Sequence, residues 1–320
     1  MRSNPNRLIV SHAPFLHNGS SISERSYHTL LATLPAVLVG IYHYHIAALA
    51  VVCLSISSAM IWEVVINRIS RRPDTLGDGT AALTGMIFAM LVPATMPWWV
   101  VVTGTFFAIV IGKHIFGGVG ANPFNPVVVS VAILAVSWKE YFDFNAALVD
   151  YDTGFTMAYP LWVLKKFGVE QAATFNVADL LLGNQSGGIG ATFGIGLAAG
   201  GLYLIYRGFI RWEISLSFLA GIFITAWLFN KVDPAAYAGP FFHLFAGYTL
   251  IGAFFLATEY SSSPVNFIPM LIYGAGGGIM TILIRNIGTG VDGVIVALLL
   301  MNSINPLLDN IRPKALGKAA

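Results

Sequence analysis

The sequence predicts an all-α integral membrane protein of about ten transmembrane helices, and three observations carry that reading. Apolar residues make up 56% of the 320 residues. Charged residues make up only 10%, against roughly 25% in a typical soluble domain. Mean hydropathy is +0.74, and the apolar residues fall into runs suited to a bilayer, which takes about 20 residues per span, fewer where a helix is broken or shielded by neighbours. A net charge of +2 with scattered lysines and arginines excludes a nucleic-acid binder. The single cysteine, Cys53, lies in an apolar run, so neither a disulfide framework nor a cysteine metal site is available.

Residues 1–27 are polar, carry Arg2, Arg7 and Arg25, and show no cleavable signal before the first apolar run. Spans are expected near 28–44, 46–66, 79–95, 97–116 and 124–138, which form a first membrane half over 28–138. A second half over 187–308 holds spans near 187–207, 213–230, 241–258, 265–284 and 290–308. Residues 139–186 form the longest soluble loop between the halves, and 309–320 form a tail. Orientation follows from the basic residues of the short loops. Arg2, Arg7 and Arg25, then Arg68, Arg71 and Arg72, then Arg207 and Arg211, then Arg312, Lys314 and Lys318 all fall on one side of a ten-span chain. That side is cytoplasmic, with both termini inside, and the 139–186 loop is outside.

Residues 112–126 interrupt two apolar runs with backbone that cannot stay helical. Gly112, Gly117, Gly118 and Gly120 and the pairs Asn122-Pro123 and Asn125-Pro126 force turns there. Freed backbone groups at membrane depth must be sheltered by protein or line a polar cavity, so Asn122 and Asn125 are candidates for a broken-helix pocket that takes an ion or a cofactor. Span ten ends in a matching Asn302-Ser303-Ile304-Asn305-Pro306. The match makes the two halves inverted five-helix repeats, with the alternative that Asn-x-x-Asn-Pro recurs by chance among 15 prolines.

The ionisable residues beside the spans have structural readings available. Asp78, between Gly77 and Gly79, is expected to cap a helix. Lys113 and His114 read as a pair near the cytoplasmic surface, with a snorkelling lysine. Glu63 follows Trp62 in an apolar run and has Arg68 and Arg71 as nearby partners. His43 and His45 sit with Tyr42 and Tyr44 in a hairpin at the membrane boundary. No nucleophile elbow, P-loop or dinucleotide fingerprint occurs, and the glycines of 274–278 suit close helix packing.

Several stretches resemble a known family. They are Asp78-Gly79-Thr80-Ala81-Ala82-Leu83-Thr84-Gly85, the turn Pro97-Trp98-Trp99, the 117–126 stretch, Asp179-Leu180-Leu181-Leu182-Gly183-Asn184 and the N-terminal Ser11-His12-Ala13-Pro14-Phe15-Leu16-His17. Together they look like the RnfD component of the Rnf electron-transport complex and, more distantly, the NqrB component of the sodium-pumping NADH:quinone oxidoreductase. The resemblance implies a ten-span component of a bacterial inner-membrane complex that couples electron transfer between ferredoxin and NAD to movement of sodium ions or protons. It implies the A, B, C, E and G components of the Rnf complex as partners, membrane lipid around the chain, and no catalysis by the chain alone.

The resemblance also implies FMN, joined by a phosphoester to the last threonine of a Ser/Thr-Gly-Ala-Thr motif in the outward loop. Here the matching segment is Thr156-Met157-Ala158-Tyr159-Pro160-Leu161. Tyr159 stands where the attachment threonine is expected, which argues against a covalent link. Thr156 and the Thr192 of Gly190-Ala191-Thr192 are the other hydroxyl candidates. A flavin without a covalent link, FMN or riboflavin, has Tyr159 as a stacking partner; the plain alternative is an interfacial tyrosine. Two further functions stay open at this point. One is a secondary transporter or channel of urea-transporter-like architecture, and the other is a structural scaffold without flavin.

Overall fold

The computed structural model describes residues 21–142, 144 and 158–311. Expectations resting on Thr156, on Ser11–His17 and on Arg2, Arg7, Arg312, Lys314 and Lys318 fall outside these. Among the described residues every regular element is helical, and helix occurs in each of the ten predicted stretches. Three helices are long and apolar enough to cross a membrane by length and composition: Ile22–Ile69, Trp212–Val232 and Phe267–Asn286. Five of the expected spans are instead shorter apolar helices, Thr80–Leu91, Trp98–His114, Pro126–Ser137, Gly194–Tyr206 and Val294–Leu308. Shorter helices are what broken or shielded spans require.

The first element, α1 (Ile22–Ile69), starts at Ser21, whose hydroxyl accepts from Glu24 N at 3.0 Å. Its backbone is non-helical at His45, with φ 50 and ψ −136. Tyr27 Oη donates to Gly77 O at 3.4 Å, and Thr75 Oγ1 donates to Glu63 Oε1 at 2.5 Å. In a straight helix, residues 27 and 63 would lie about 54 Å apart at 1.5 Å per residue. Both meet the 75–77 segment, so α1 is two antiparallel arms that reverse at His45, as the hairpin reading of Tyr42 to His45 requires. The two arms coincide with the stretches expected as spans one and two.

After a turn, α2 (Thr80–Leu91) begins at Gly79, with φ 72. Asp78 Oδ1 accepts from Thr80 N at 2.8 Å and from Thr80 Oγ1 at 2.7 Å, which is the expected cap. Next, α3 (Trp98–Phe106) runs into a π-helical segment, Phe107–His114. The turn-rich stretch follows, and then α4 (Pro126–Ser137) opens on Asn125, whose Oδ1 accepts from Val127 N at 2.9 Å. Proline at the first helical position needs no amide donor there. The stretch between the two sets of apolar helices holds α5 (Pro160–Phe167), α6 (Val169–Ala172) and α7 (Val177–Leu182).

The second half holds α8 (Gly194–Tyr206), α9 (Trp212–Val232), the interrupted pair α10 (Pro240–Phe245) and α11 (Thr249–Ile251), α12 (Phe267–Asn286) and α13 (Val294–Leu308). A second π-helical segment, Gly252–Leu256, extends α11. Gly274 and Gly278 let α12 close on α9: a Cβ at Gly274 would sit 2.5 Å from Ile214 O, and one at Gly278 would sit 2.8 Å from Ile222 N. That is the small-residue packing expected of 274–278.

Broken backbone is paired with broken backbone. Ile189 N donates to Val92 O at 3.1 Å and Gly190 N to Met90 O at 3.1 Å, so the irregular 187–192 stretch satisfies the carbonyls at the end of α2. Such pairing replaces the water that hydrocarbon cannot supply.

Candidate functional site: a buried cavity and two polar clusters

The turn-rich stretch is sheltered as the sequence requires. Arg72 Nη1 donates to Gly117 O at 2.7 Å and Asn122 Nδ2 to Phe124 O at 3.0 Å. Asn125 uses both ends of its amide: Oδ1 caps α4, and Nδ2 donates to Leu256 O at 3.0 Å, at the end of the second π-helical segment. Asn122 Nδ2 also reaches Glu259 Oε2 at 3.4 Å. Both asparagines are buried and line one cavity of about 140 Å³ with Arg25, Thr80, Lys113 and Glu259. A water needs about 10–15 Å³ by this measure, so the cavity holds on the order of ten. Phe254, Phe255 and Tyr260 supply aromatic walls.

Around the cavity the loop after α11 is fixed. Glu259 accepts from Ser261 Oγ at 2.7 Å and from Ser262 N at 2.9 Å. The Arg25 guanidinium lies 4.7 Å from the centre of the Tyr260 ring. Burial, with the Glu259 carboxylate beside it, pushes the Tyr260 phenol up to about 12. Asn305, in the matching motif of α13, donates to Ser262 O at 3.1 Å. Asn125 and Asn305, the second asparagines of the two Asn-x-x-Asn-Pro motifs, therefore both hold the 256–262 loop.

Lys113 and Glu63 correct the sequence expectation. Lys113 is 4% exposed and does not snorkel. Its Nζ donates to both oxygens of Glu63 at 2.9 Å and to Thr80 Oγ1 at 2.9 Å. His114 Nε2 lies 3.0 Å from Glu63 Oε2. Glu63 thus takes its partners from the end of the π-helical segment, fifty residues on, and neither Arg68 nor Arg71 pairs with it. That segment turns two consecutive residues toward one carboxylate, a geometry the 3.6-residue period does not forecast.

A second cluster sits at the other end of α2. Arg285 Nη2 lies 3.0 Å from Asp292 Oδ1 and donates to Thr249 Oγ1 at 3.0 Å. Asp292 also accepts from Val294 N at 3.1 Å, Tyr248 N at 2.7 Å and Tyr159 Oη at 3.1 Å. Tyr248 Oη donates to Leu91 O at 2.6 Å, which joins the cluster to the end of α2. Gly247, with φ +65, leaves the space: a Cβ there would collide with Asp292 Oδ2 and come 3.1 Å from Tyr159 Oη. The pairing of Arg285 with Asp292 spans seven residues across a turn, and that spacing is its only signal in the sequence.

Tyr159 is therefore a buried member of this cluster, 4% exposed, with its ring 5.0 Å from that of Phe144. It is not an interfacial tyrosine. Burial first, and the Asp292 carboxylate second, hold its phenol well above the usual tyrosine range. Thr192 is 3% exposed, and its Oγ1 has no hydrogen-bond partner among the described residues. Both line a narrow cleft with Gln185 and Tyr248. The structure thus brings Tyr159 near Thr192 at one end of α2, and Asn122 near Asn125 at the other. Among the described residues no group of three metal-ligating side chains occurs.

Comparison with known proteins agrees with the architecture. The model of the NQR2, RnfD, RnfE family matches residues 9–317. The chain is 36% identical over 314 residues to the D component of the proton-translocating ferredoxin:NAD(+) oxidoreductase complex of Clostridium ljungdahlii, covering 95% of this chain and 94% of that one. It is 36% identical to the D component of the Na(+)-translocating complex of Acetobacterium woodii, covering 94% and 92%. To the D component of the ion-translocating oxidoreductase complex of Aliivibrio salmonicida it is 32% identical, covering 94% and 96%. The match runs through nearly the whole chain, and the chain belongs to the NQR2, RnfD, RnfE family.

Proposed function

We propose that the chain is the RnfD-type membrane component of an Rnf-type complex, which couples electron transfer between ferredoxin and NAD to translocation of a proton or sodium ion. The observation that carries this is the 36% identity to two such components over nearly the whole chain. One of these relatives is named for protons and the other for sodium at equal identity, so the reading is of a small cation. The other Rnf components are its partners, and the bacterial inner membrane is its location. The reading has ten spans with both termini cytoplasmic, the short helices completed by irregular backbone inside the protein. Two inverted halves account for a repeated clasp: Lys113 holds Thr80 at the start of α2, and Arg285 holds Thr249 at the start of α11.

The residues at the family's attachment position do not fit a covalent flavin. Tyr159 Oη is committed to Asp292, Thr192 is enclosed, and the cleft between them is too narrow for a flavin ring. The inner cavity suits an isoalloxazine held without a covalent link: Arg25 and Asn122 are donors, and Phe254, Phe255 and Tyr260 supply ring contacts. When bound, a flavin supplies one- and two-electron redox chemistry, and the protein sets its orientation and surroundings. The buried position of Tyr159 favours one second reading, a structural scaffold without flavin.

Purification of the tagged chain from its native membrane tests the proposal. The expected result is co-purification of the other Rnf components and flavin released by acid. Isolation of the chain alone from an intact membrane extract would reject the complex, and partners without extractable flavin would favour the scaffold.

A further inference from the structure

Outside both clusters, one side chain is held in an unusual way. Lys165, on α5, donates from Nζ to three backbone carbonyls, those of Arg285 at 3.3 Å, Gly290 at 2.8 Å and Gly288 at a shorter distance. A lysine that caps a helix end uses the carbonyls of its last turn. Here Gly288 and Gly290 lie beyond the end of α12 at Asn286. The turn bends back so tightly that a Cβ at Gly288 would sit 2.7 Å from Ile284 O. Among the described residues no carboxylate lies within ion-pair distance of Lys165, and its hydrogen-bond partners there are carbonyl oxygens. Partial burial lowers the Lys165 ammonium below its ordinary value.

Carbonyl oxygens converging on one compact positive charge are what a monovalent ion needs in place of its water shell. A cavity of about 190 Å³ lies beside the ammonium and the Arg285 end of the nest, lined by Lys165, Arg285, Asn286 and Tyr237. Asn286 Nδ2 is buried without a partner, which marks room for water beside the site. The carbonyl of Arg285 belongs to this nest while its guanidinium holds Asp292. The nest therefore shares a residue with the outer polar cluster.

We propose that the 285–290 carbonyl nest is a binding site for a monovalent cation at the outer mouth of the protein, with the Lys165 ammonium as its resident, tethered competitor. The inference rests on the translocation reading for its use, since a cation leaving past Asp292 meets this nest next. Its chemistry stands without that reading. A mobile cation and the ammonium exclude each other, so cation binding releases Lys165, and release of Lys165 frees α5 from the end of α12.

Two measurements on the full chain test it. In the wild type, acylation of Lys165 by an amine-reactive reagent is followed by mass spectrometry, with the neighbouring Lys166 as reference. Replacing choline chloride with potassium chloride or sodium chloride at equal ionic strength is expected to raise the Lys165 rate at least about twofold relative to Lys166, as mass action requires. Rates that change together overturn the proposal. In Lys165→Met the thermal midpoint is expected to fall in choline chloride and to recover, saturably, in one of the two alkali salts. The salt that acts identifies the ion's size class. A midpoint equally low in all three salts reduces the nest to a helix cap and overturns the proposal. If the variant does not fold, the wild-type labelling decides. Loss of partner co-purification tests the translocation reading separately and leaves both measurements interpretable.

Discussion

Asn125 and Leu256 are joined by a 3.0 Å hydrogen bond from the asparagine amide to the leucine carbonyl, which ties the start of α4 to the end of the second π-helical segment. The same side chain caps α4 through its other end. One amide therefore links a helix of each half at the wall of the inner cavity. Replacement Asn125→Leu is expected to remove a cap worth about 1 kcal/mol and to leave Leu256 O unpaired. Coupled ion transport in membrane vesicles should fall at least about tenfold, the effect of roughly 1.4 kcal/mol on a coupled equilibrium, while the amount of assembled complex is retained. Failure to assemble would reduce the stretch to a structural turn.

The Glu63 carboxylate is buried with Lys113, His114 and Thr75 around it. Lys113→Met strands that charge, and breaking a buried pair in this way costs about 3–5 kcal/mol. Adding Glu63→Gln should restore much of the loss, because the uncompensated charge is then gone. Thermal unfolding in detergent of the two single variants and the double variant measures the coupling. Equal loss in Lys113→Met with and without Glu63→Gln would contradict it.

Tyr159 donates to an ionised carboxylate, so Tyr159→Phe is expected to cost about 1.5–3 kcal/mol. The sign of its pH dependence follows from a folded-state pKa raised above the unfolded value of about 10. The contribution is complete below pH ~10 and is lost as the pH rises toward the folded value, so wild type and variant should converge in alkali. Unfolding midpoints from pH 7 upward check this, and a constant difference would refute it.

Covalent flavin should be missing from the wild-type band in a denaturing gel viewed under ultraviolet light. A fluorescent band would overturn the reading of Tyr159, and peptide mapping would then place the link.

Gly278→Val should separate α12 from α9, since its Cβ would meet Ile222 N at 2.8 Å. Overpacking costs about 1–3 kcal/mol where side chains can yield, and backbone yields less. Loss of folded protein in size-exclusion chromatography is the expected outcome, with Gly239→Ala, where a Cβ meets nothing within 4 Å, as the tolerated control.

The membrane class, the ten helical stretches, the reversal at His45, the Asp78 cap and the need to shelter 112–126 were legible because each is a local consequence of apolar runs or of glycine and proline. Asn122 and Asn125 were legible as pocket residues for the same reason. Glu63 with Lys113, and Tyr159 with Asp292, were not. Those pairs join residues 50 and 133 positions apart, and only packed helices bring them together. The short helices were read too long because an apolar run does not reveal where its backbone leaves the helix to pair with another irregular stretch.

The reversal at His45 has a mechanical consequence. A turn made at one residue leaves no loop between the two arms of α1, so His45 is the pivot between them. The first arm touches Gly77 through Tyr27 and lines the inner cavity with Arg25; the second carries Glu63 to Thr75 and Lys113. Motion of either arm about that pivot displaces the cavity wall relative to the Glu63 carboxylate.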